Sequence, residues 1–255
     1  MTMNDVPPQP PGPADAIHYA VGDVHGCYAL LTDLLQQIVA DLGTQPDGAP
    51  AELVFLGDYV DRGPASADVL SSLVWMERNS PLTTIFLKGN HEQVMLDYLA
   101  DPLRYHVWLG FGGAETLRSY GIDVPDDVGP GADHVGLRNA LLDAMPAAHL
   151  DFVQRLRLYH ETERHIFVHA GIRPRVKMAM QDPADLLWIR KGFLDHARPA
   201  HKRVVHGHTW DDAEPVVRPE RIGVDTGAYE TGVLTAARLR GDAVAFLRAR
   251  EAATG

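Results

Sequence analysis

Five short stretches hold the side chains with chemical potential. GDVHG offers Asp23 and His25, GDYVDRG offers Asp58, Asp61 and Arg62, GNHE offers Asn90 and His91, VHAG offers His169, and GHT offers His208. Imidazole suits zinc and iron, whereas carboxylate and amide oxygens suit harder cations such as manganese. The set is too large for one tetrahedral ion. Two ions sharing one carboxylate would use it economically, and Asp58, after the second strand, is the natural bridge. Arg62 adds a planar donor fork that matches an anion. Each stretch alone has a plainer reading: GDVHG as a turn, GDYVDRG as a solvated charged turn, GNHE as a helix start with Asn90 as cap and Glu92 in the first turn. What argues against chance is their order, each directly after its own apolar run.

Those runs are the elements that must position the site. IHYAVGD reads as a strand ending at Asp23, followed by a helix over Tyr28–Leu42 with apolar residues at helical spacing. TQPDGAP is a loop. LVFLGD is a second strand, and Pro64 to Arg78 a second helix with Pro in its first turn. TTIFLKGN and HEQVMLDYLA repeat the pattern. Strand–helix alternation implies parallel neighbours in a sheet, with ligands at the carboxyl ends of the strands. The D-x-H spacing of Asp23 and His25 places both on one side of an extended strand end. The flanking glycines allow sharp turns and keep bulk away from bound ions. Residues of about 100–158 change character and read as an inserted helical cap, with helices near His134–Ala144 and Ala147–Leu158. HIFVHAG and RVVHGHT are further strands, separated by a short helix in DPADLLWIRKGFL. The last stretch, from Arg221, reads as a β-meander with a turn at Arg240–Gly241–Asp242. Residues 1–15 are Pro-rich and read as a disordered tail.

Composition narrows the function classes. A hydrophobic fraction of 45% and a charged fraction of 22% over 255 residues suit a soluble globular protein. A net charge of -11 argues against a general nucleic-acid binder, which needs a basic stripe. It leaves anionic substrates open, because bound cations dominate a local field. The single cysteine, Cys27, excludes an internal disulfide and suits a reducing cytoplasm. The N-terminus has no secretory pattern, and no apolar run reaches membrane-spanning length. Of the 13 histidines, His18, His106, His134, His149, His160, His165, His196 and His201 stand among polar neighbours and read as surface scatter. His25, His91, His169, His206 and His208 each adjoin a small residue or Asn after an apolar run.

Taken together, the five motifs resemble the phosphoprotein phosphatase branch of the calcineurin-like metallophosphoesterases, and within it the bacterial and phage serine/threonine phosphatases. The resemblance spans about residues 17–240. It implies an α/β fold of two mixed β-sheets in a sandwich flanked by helices, a single domain over 16–250 that includes the cap. It also implies two divalent metal ions at one edge, manganese first, with iron or zinc as alternatives. Asp23 and His25 match ligands of the first metal, Asp58 the bridge, and Asn90, His169 and His208 ligands of the second. His91 matches the catalytic histidine, with Asp61 as its orienting partner. Arg62 matches a phosphate-binding arginine, and Arg190 in LLWIR a second. The implied mechanism is in-line attack on phosphorus by hydroxide shared between the cations, with His91 protonating the leaving alkoxide.

The substrate is less sharply implied. Phosphoserine or phosphothreonine in proteins, or a small phosphoester, is the expectation, and GDYVDRG and GNHE with Glu92 favour it. GVDTGAYETG and Cys27 also resemble the diadenosine tetraphosphate hydrolases of the same superfamily, which stand as the alternative. A non-catalytic binding scaffold is the third reading, and the complete ligand set opposes it. His206 would point the same way as His208 in a strand, toward the site or into the core. Cys27 reads as a packing residue or an oxidation-sensitive one, Trp108 and Trp188 as cleft or core, and Arg118, Arg173 and Arg175 as solvated.

Overall fold

The computed structural model describes residues 16–45, 49–196 and 201–252; the Pro-rich segment 1–15 lies outside them. β1 (Ile17–Val21), α1 (Tyr28–Leu42), β2 (Ala51–Phe55), α2 (Ser66–Asn79), β3 (Thr83–Phe86) and α3 (Asn90–Ala100) alternate as the apolar spacing predicts. β1 pairs in parallel with β2, and β2 with β3. Along β1, Ile17, Tyr19 and Val21 pack with the helices while Ala20 packs against the second sheet. A strand covered on both faces reads as an unbroken apolar run, which is why these were visible. Pro64 lies ahead of α2, whose N-cap is Ala65, so the second helix starts later than its proline suggests.

Between α3 and the second sheet come a 3-10 turn at His106–Phe111, α4 (Gly113–Ser119), α5 (His134–Ala144) and α6 (Ala147–Gln154). Trp108, Leu117, Leu141 and Phe152 from this stretch share one continuous core with α1, α2 and β1. The second sheet contains β4 (Tyr159–Glu161), β5 (His165–Val168), β6 (Arg203–His206), β7 (Val216–Val217) and β8 (Arg221–Gly223), in the order β4-β5-β6-β8-β7. α7 (Pro183–Trp188) covers its outer face through Leu186, with Pro183 opening the helix and Asp182 capping it. Val54, Leu56, Phe167, Val205 and Ile222 fill the space between the sheets. The result is an α/β sandwich of two mixed sheets flanked by helices.

The end of the chain is not a meander. β8 belongs to the second sheet, parallel to β6. The chain then crosses through α8 (Ala228–Thr231) to β9 (Val233–Arg240), which pairs antiparallel with β1. β10 (Ala243–Arg250) closes a hairpin with β9 around Gly241 and Asp242, where Gly241 has φ of 58°. The first sheet therefore runs β10-β9-β1-β2-β3. This crossing carries Asp225 to the same edge as the earlier strand ends.

Five of the histidines read as surface scatter are buried: His18, His134, His149, His160 and His165. His18, His160 and His165 lie on strands and His134 and His149 on helices, and each ring is buried whatever the polarity of its sequence neighbours. Three of them gather on strands from both sheets. His18 Nε2 and His160 Nε2 stand 3.3 and 3.4 Å from Glu52 Oε2, and His18 meets His165 edge-on at 6.2 Å. The imidazoles of His160 and His18 hold the Glu52 carboxyl down, to about 2 from its ordinary 4.5. Because the folded pKa is depressed, this stability is present above about pH 4.5 and lost as pH falls toward 2. Glu52→Ala should cost about 1–3 kcal/mol at neutral pH, since it strands two buried imidazoles. Urea unfolding of both proteins should show that difference shrinking between pH 4.5 and 3; a difference independent of pH would contradict the pairing.

Candidate metal centre

The exits of β1, β2, β3, β5 and β6 meet at one edge of the sandwich. The backbone there is unusual. His25 (φ 43°), Asp58 (52°), Asp61 (75°), Arg62 (70°) and His208 (64°) occupy the left-handed region. Among the described residues only one other non-glycine side chain, on Arg175, does so. Such conformations cost free energy and persist where the surroundings over-determine them. Here the surroundings are hydrogen bonds. Val24 and His25 donate their N–H groups to the Asp58 carbonyl, and Gly207 donates to the His169 carbonyl. Buried Glu92 braces the β2 exit by accepting from the N–H groups of Asp58, Tyr59, Val60 and Gly89 at 2.9, 2.7, 3.3 and 2.8 Å. Glu92 is thus more than a favourable charge in the first turn of α3. A side chain at Gly89 would collide with the Asp58 carboxylate, which explains the glycine before Asn90. The left-handed turn at His25 also replaces the extended D-x-H geometry: Asp23 and His25 do not approach one point by strand alternation.

Asp58 stands between two groups of imidazoles. Its Oδ2 lies 3.4 Å from His25 Nε2 and 4.0 Å from His91 Nε2, while its Oδ1 lies 3.5 Å from His169 Nε2. His25, Asp58 and His91 form one cluster of possible ligand atoms within 4.8 Å of one another, and Asp58, His169 and His208 form another. Tautomers support ligation. His25 Nδ1 lies 2.9 Å from the Val60 carbonyl and His169 Nδ1 2.9 Å from the Leu56 carbonyl. A carbonyl only accepts, so Nδ1 carries the proton and Nε2 presents a lone pair. His169 Nε2 then faces Asn90 Oδ1 at 2.8 Å, acceptor against acceptor. Asp23 receives the His208 N–H on Oδ2 at 2.9 Å, and its buried Oδ1 has no partner. Acceptors without protons, crowded in a buried place, are what divalent cations resolve. The donor set fits a dinuclear centre.

The charges say the same. Burial pushes His25 and His208 down to about 3, and lowers His169, so these rings are neutral donors of lone pairs. Burial alone would raise Asp58, but His169, His91 and His25 hold it well below the carboxylate range. Burial, Asp225 and Asp58 push Asp23 far up, and burial pushes Asp225 up to about 6. Asp23 and Asp225 are the carboxyls that the chain's own charges leave short of compensation. Asp225 was missed in the sequence. GVDTG repeats the strand–Asp–small pattern of the other motifs, and that signal was legible.

His91 and the arginines line the same cleft, of about 870 Å³. His91 Nδ1 meets Asp61 Oδ2 at 2.6 Å, and its Nε2 lies 3.2 Å from Arg62 Nη2. Burial opposes protonation of His91, but Asp58 and Asp61 outweigh it and raise the ring to about 8. Arg62 stacks over Tyr229 at 4.5 Å. Arg190, from the turn after α7, donates through Nε to His208 Nε2 at 3.2 Å. Trp188 and Phe111, 46% and 57% exposed, stand at the cleft rim. Trp108 is both core and cleft wall: it is buried, and its indole N–H reaches Asp61.

Two residues stay apart from the site. His206 is buried with Nδ1 2.9 Å from the Gly207 carbonyl and its ring edge on Phe193. The left-handed turn at His208 breaks the alternation that would have aligned the two, so His206 is a core histidine. Cys27 packs against the core, and burial raises its thiol to about 12. Arg118 and Arg173 form surface ion pairs with Glu115 and Asp185.

This sandwich with a polar edge of Asp, His and Asn is the fold of metal-dependent phosphoesterases. The profile of the Calcineurin-like phosphoesterase family matches residues 19–236, and the chain belongs to that family, which uses a dinuclear metal centre. It is 30% identical over 231 residues to serine/threonine-protein phosphatase 1 of Salmonella typhimurium, covering 87% of this chain and 91% of that protein. It is 26% identical over 239 residues to bis(5'-nucleosyl)-tetraphosphatase PrpE [asymmetrical] of Bacillus cereus, covering 86% and 88%. The crystal structure of a candidate diadenosine tetraphosphatase superposes with a TM-score of 0.58 at 19% identity, over 94% of this chain and all of that one, which supports the fold. Among the described residues no helix is long and apolar enough to cross a membrane.

The geometry yields a graded metal-binding prediction. After chelation and titration with Mn²⁺, Asp58→Asn should bind neither ion tightly. Asn90→Ala and Asp225→Asn should each lose about tenfold or more in affinity for one ion. Calorimetry with metal analysis reads both. Wild-type affinity in Asp225→Asn would remove Asp225 from the centre.

Proposed function

We propose that the protein hydrolyses phosphomonoesters, with phosphoserine or phosphothreonine in proteins as the substrate class and manganese as the metal. The observation that carries this reading is the convergence of Arg62 and His91 Nε2 beside Asp58, so that a phosphate grip and a proton donor face one ligand cluster. Asp23, His25, Asp58, Asn90, His169 and His208, joined by Asp225, would hold two divalent cations. Bound there, the cations supply hydroxide near neutral pH and neutralise phosphate charge.

The chain's own residues do the rest. Arg62 and Arg190 offer guanidinium N–H groups to the phosphoryl oxygens. In the free cleft Arg62 Nη2 leans on His91 Nε2 and Arg190 Nε on His208 Nε2. An anion draws both guanidinium groups to itself and leaves His91 Nε2 free to carry a proton. Asp61 keeps Nδ1 protonated and the ring aimed. His91 then donates its Nε2 proton to the leaving oxygen as the phosphorus–oxygen bond breaks, so that the alcohol departs neutral. Trp188 and Phe111 at the rim support a second reading, in which their faces stack on the bases of a dinucleotide polyphosphate. The likeness to the Bacillus cereus tetraphosphatase favours the same alternative.

Metal-dependent turnover of p-nitrophenyl phosphate tests the reaction class, and its absence across the pH range would contradict it. On a phosphoserine peptide, His91→Asn should keep bound metal and lose about 10²–10⁴ in kcat. Comparing kcat/KM on that peptide and on diadenosine tetraphosphate separates the substrates. A dinucleotide preference of about a hundredfold, roughly 2.7 kcal/mol in transition-state binding, would select the second reading.

A further inference from the structure

Asp61 is fully buried and every direction around its carboxylate is taken. Oδ2 accepts from His91 Nδ1 at 2.6 Å and from Trp108 Nε1 at 2.8 Å, and Oδ1 accepts from the Thr116 hydroxyl at 2.7 Å. The backbone is held as well. The Asp61 N–H reaches Ser66 Oγ and Thr116 Oγ1 at 3.0 and 2.9 Å, and the Arg62 N–H reaches the Gly112 carbonyl at 3.1 Å. A side chain at Gly112 would collide with the Arg62 backbone. The contacts of Trp108, Gly112 and Thr116 all come from the stretch between α3 and α5.

We propose that Trp108 and Thr116 are positioning residues, which clamp the Asp61 carboxylate in one plane and thereby aim His91 at the leaving group. A carboxylate on two freely turning bonds would let the His91 ring swing with it. Three donors on two oxygens remove that freedom, and the twin left-handed residues Asp61 and Arg62 are held in register by the same segment. Misplacement of a reacting group by about 1 Å costs on the order of 10²-fold in rate. The cost falls on the step that needs the proton. Nitrophenolate leaves with little protonation, whereas a serine alkoxide must receive a proton as its bond to phosphorus breaks.

The inference rests on His91 as proton donor, and the test separates the two. The quantity to measure is the ratio of kcat on p-nitrophenyl phosphate to kcat on a phosphoserine peptide, with Mn²⁺ saturating. Both are taken from one sample, so the fraction of folded enzyme cancels. His91→Asn should raise this ratio by about a hundredfold or more. Trp108→Phe and Thr116→Val should each raise it about tenfold, and Thr116→Ser, which keeps the hydroxyl, should restore the wild-type ratio. A raised ratio in His91→Asn with wild-type ratios in Trp108→Phe and Thr116→Val would overturn the clamp and leave the donor standing. A wild-type ratio in His91→Asn would overturn the donor, and the clamp with it.

Discussion

The interaction on which the structure turns is one between acceptors. His169 Nε2 and Asn90 Oδ1 face each other at 2.8 Å with no proton to share, and Asp58 presents an oxygen to each side. In a buried place such contacts cost free energy unless something positive lies among them. The chain accepts that cost, and left-handed backbone at five site residues besides, in order to bring the lone pairs together. Backbone hydrogen bonds hold what the side chains would push apart. Glu92 gathers four N–H groups, and the carbonyls of Val60 and Leu56 set the ring tautomers of His25 and His169.

Neither sheet supplies a centre alone. The exits of β1, β2 and β3 bring Asp23, His25, Asp58, Asn90 and His91, and those of β5, β6 and β8 bring His169, His208 and Asp225. The apolar layer between the sheets fixes their separation, with Val54 and Leu56 on one side and Phe167, Val205 and Ile222 on the other. Packing in that layer is dense and tolerates little change in volume. The chemistry therefore depends on residues that touch no ligand. The Glu52 cluster ties strands of the same two sheets together away from the cleft.

Much of this was legible in the sequence for a physical reason. Strands buried on both faces announce themselves as apolar runs, and a polar cluster straight after such a run has few plain explanations. What escaped depended on pairing across the chain. GVDTG carries the pattern that marks Asp225, but a meander reading of the chain's end does not bring it to the site; the crossing from β8 to β9 does. The buried histidines escape because the polarity of sequence neighbours does not tell which face of a strand or a helix a ring occupies. Strand alternation does not extend to His25 and His208, where left-handed backbone ends the extended geometry. Trp108 and Thr116 carry no motif at all, since their contact with Asp61 spans 47 and 55 residues.

The central claim is that Asp58 lies between two cations. Anomalous diffraction from crystals grown with Mn²⁺ measures this directly. The account predicts two peaks about 3.5–4 Å apart, one on the His25 side of Asp58 and one on the His169 side. A single peak, or a pair that Asp58 does not bridge, would contradict it.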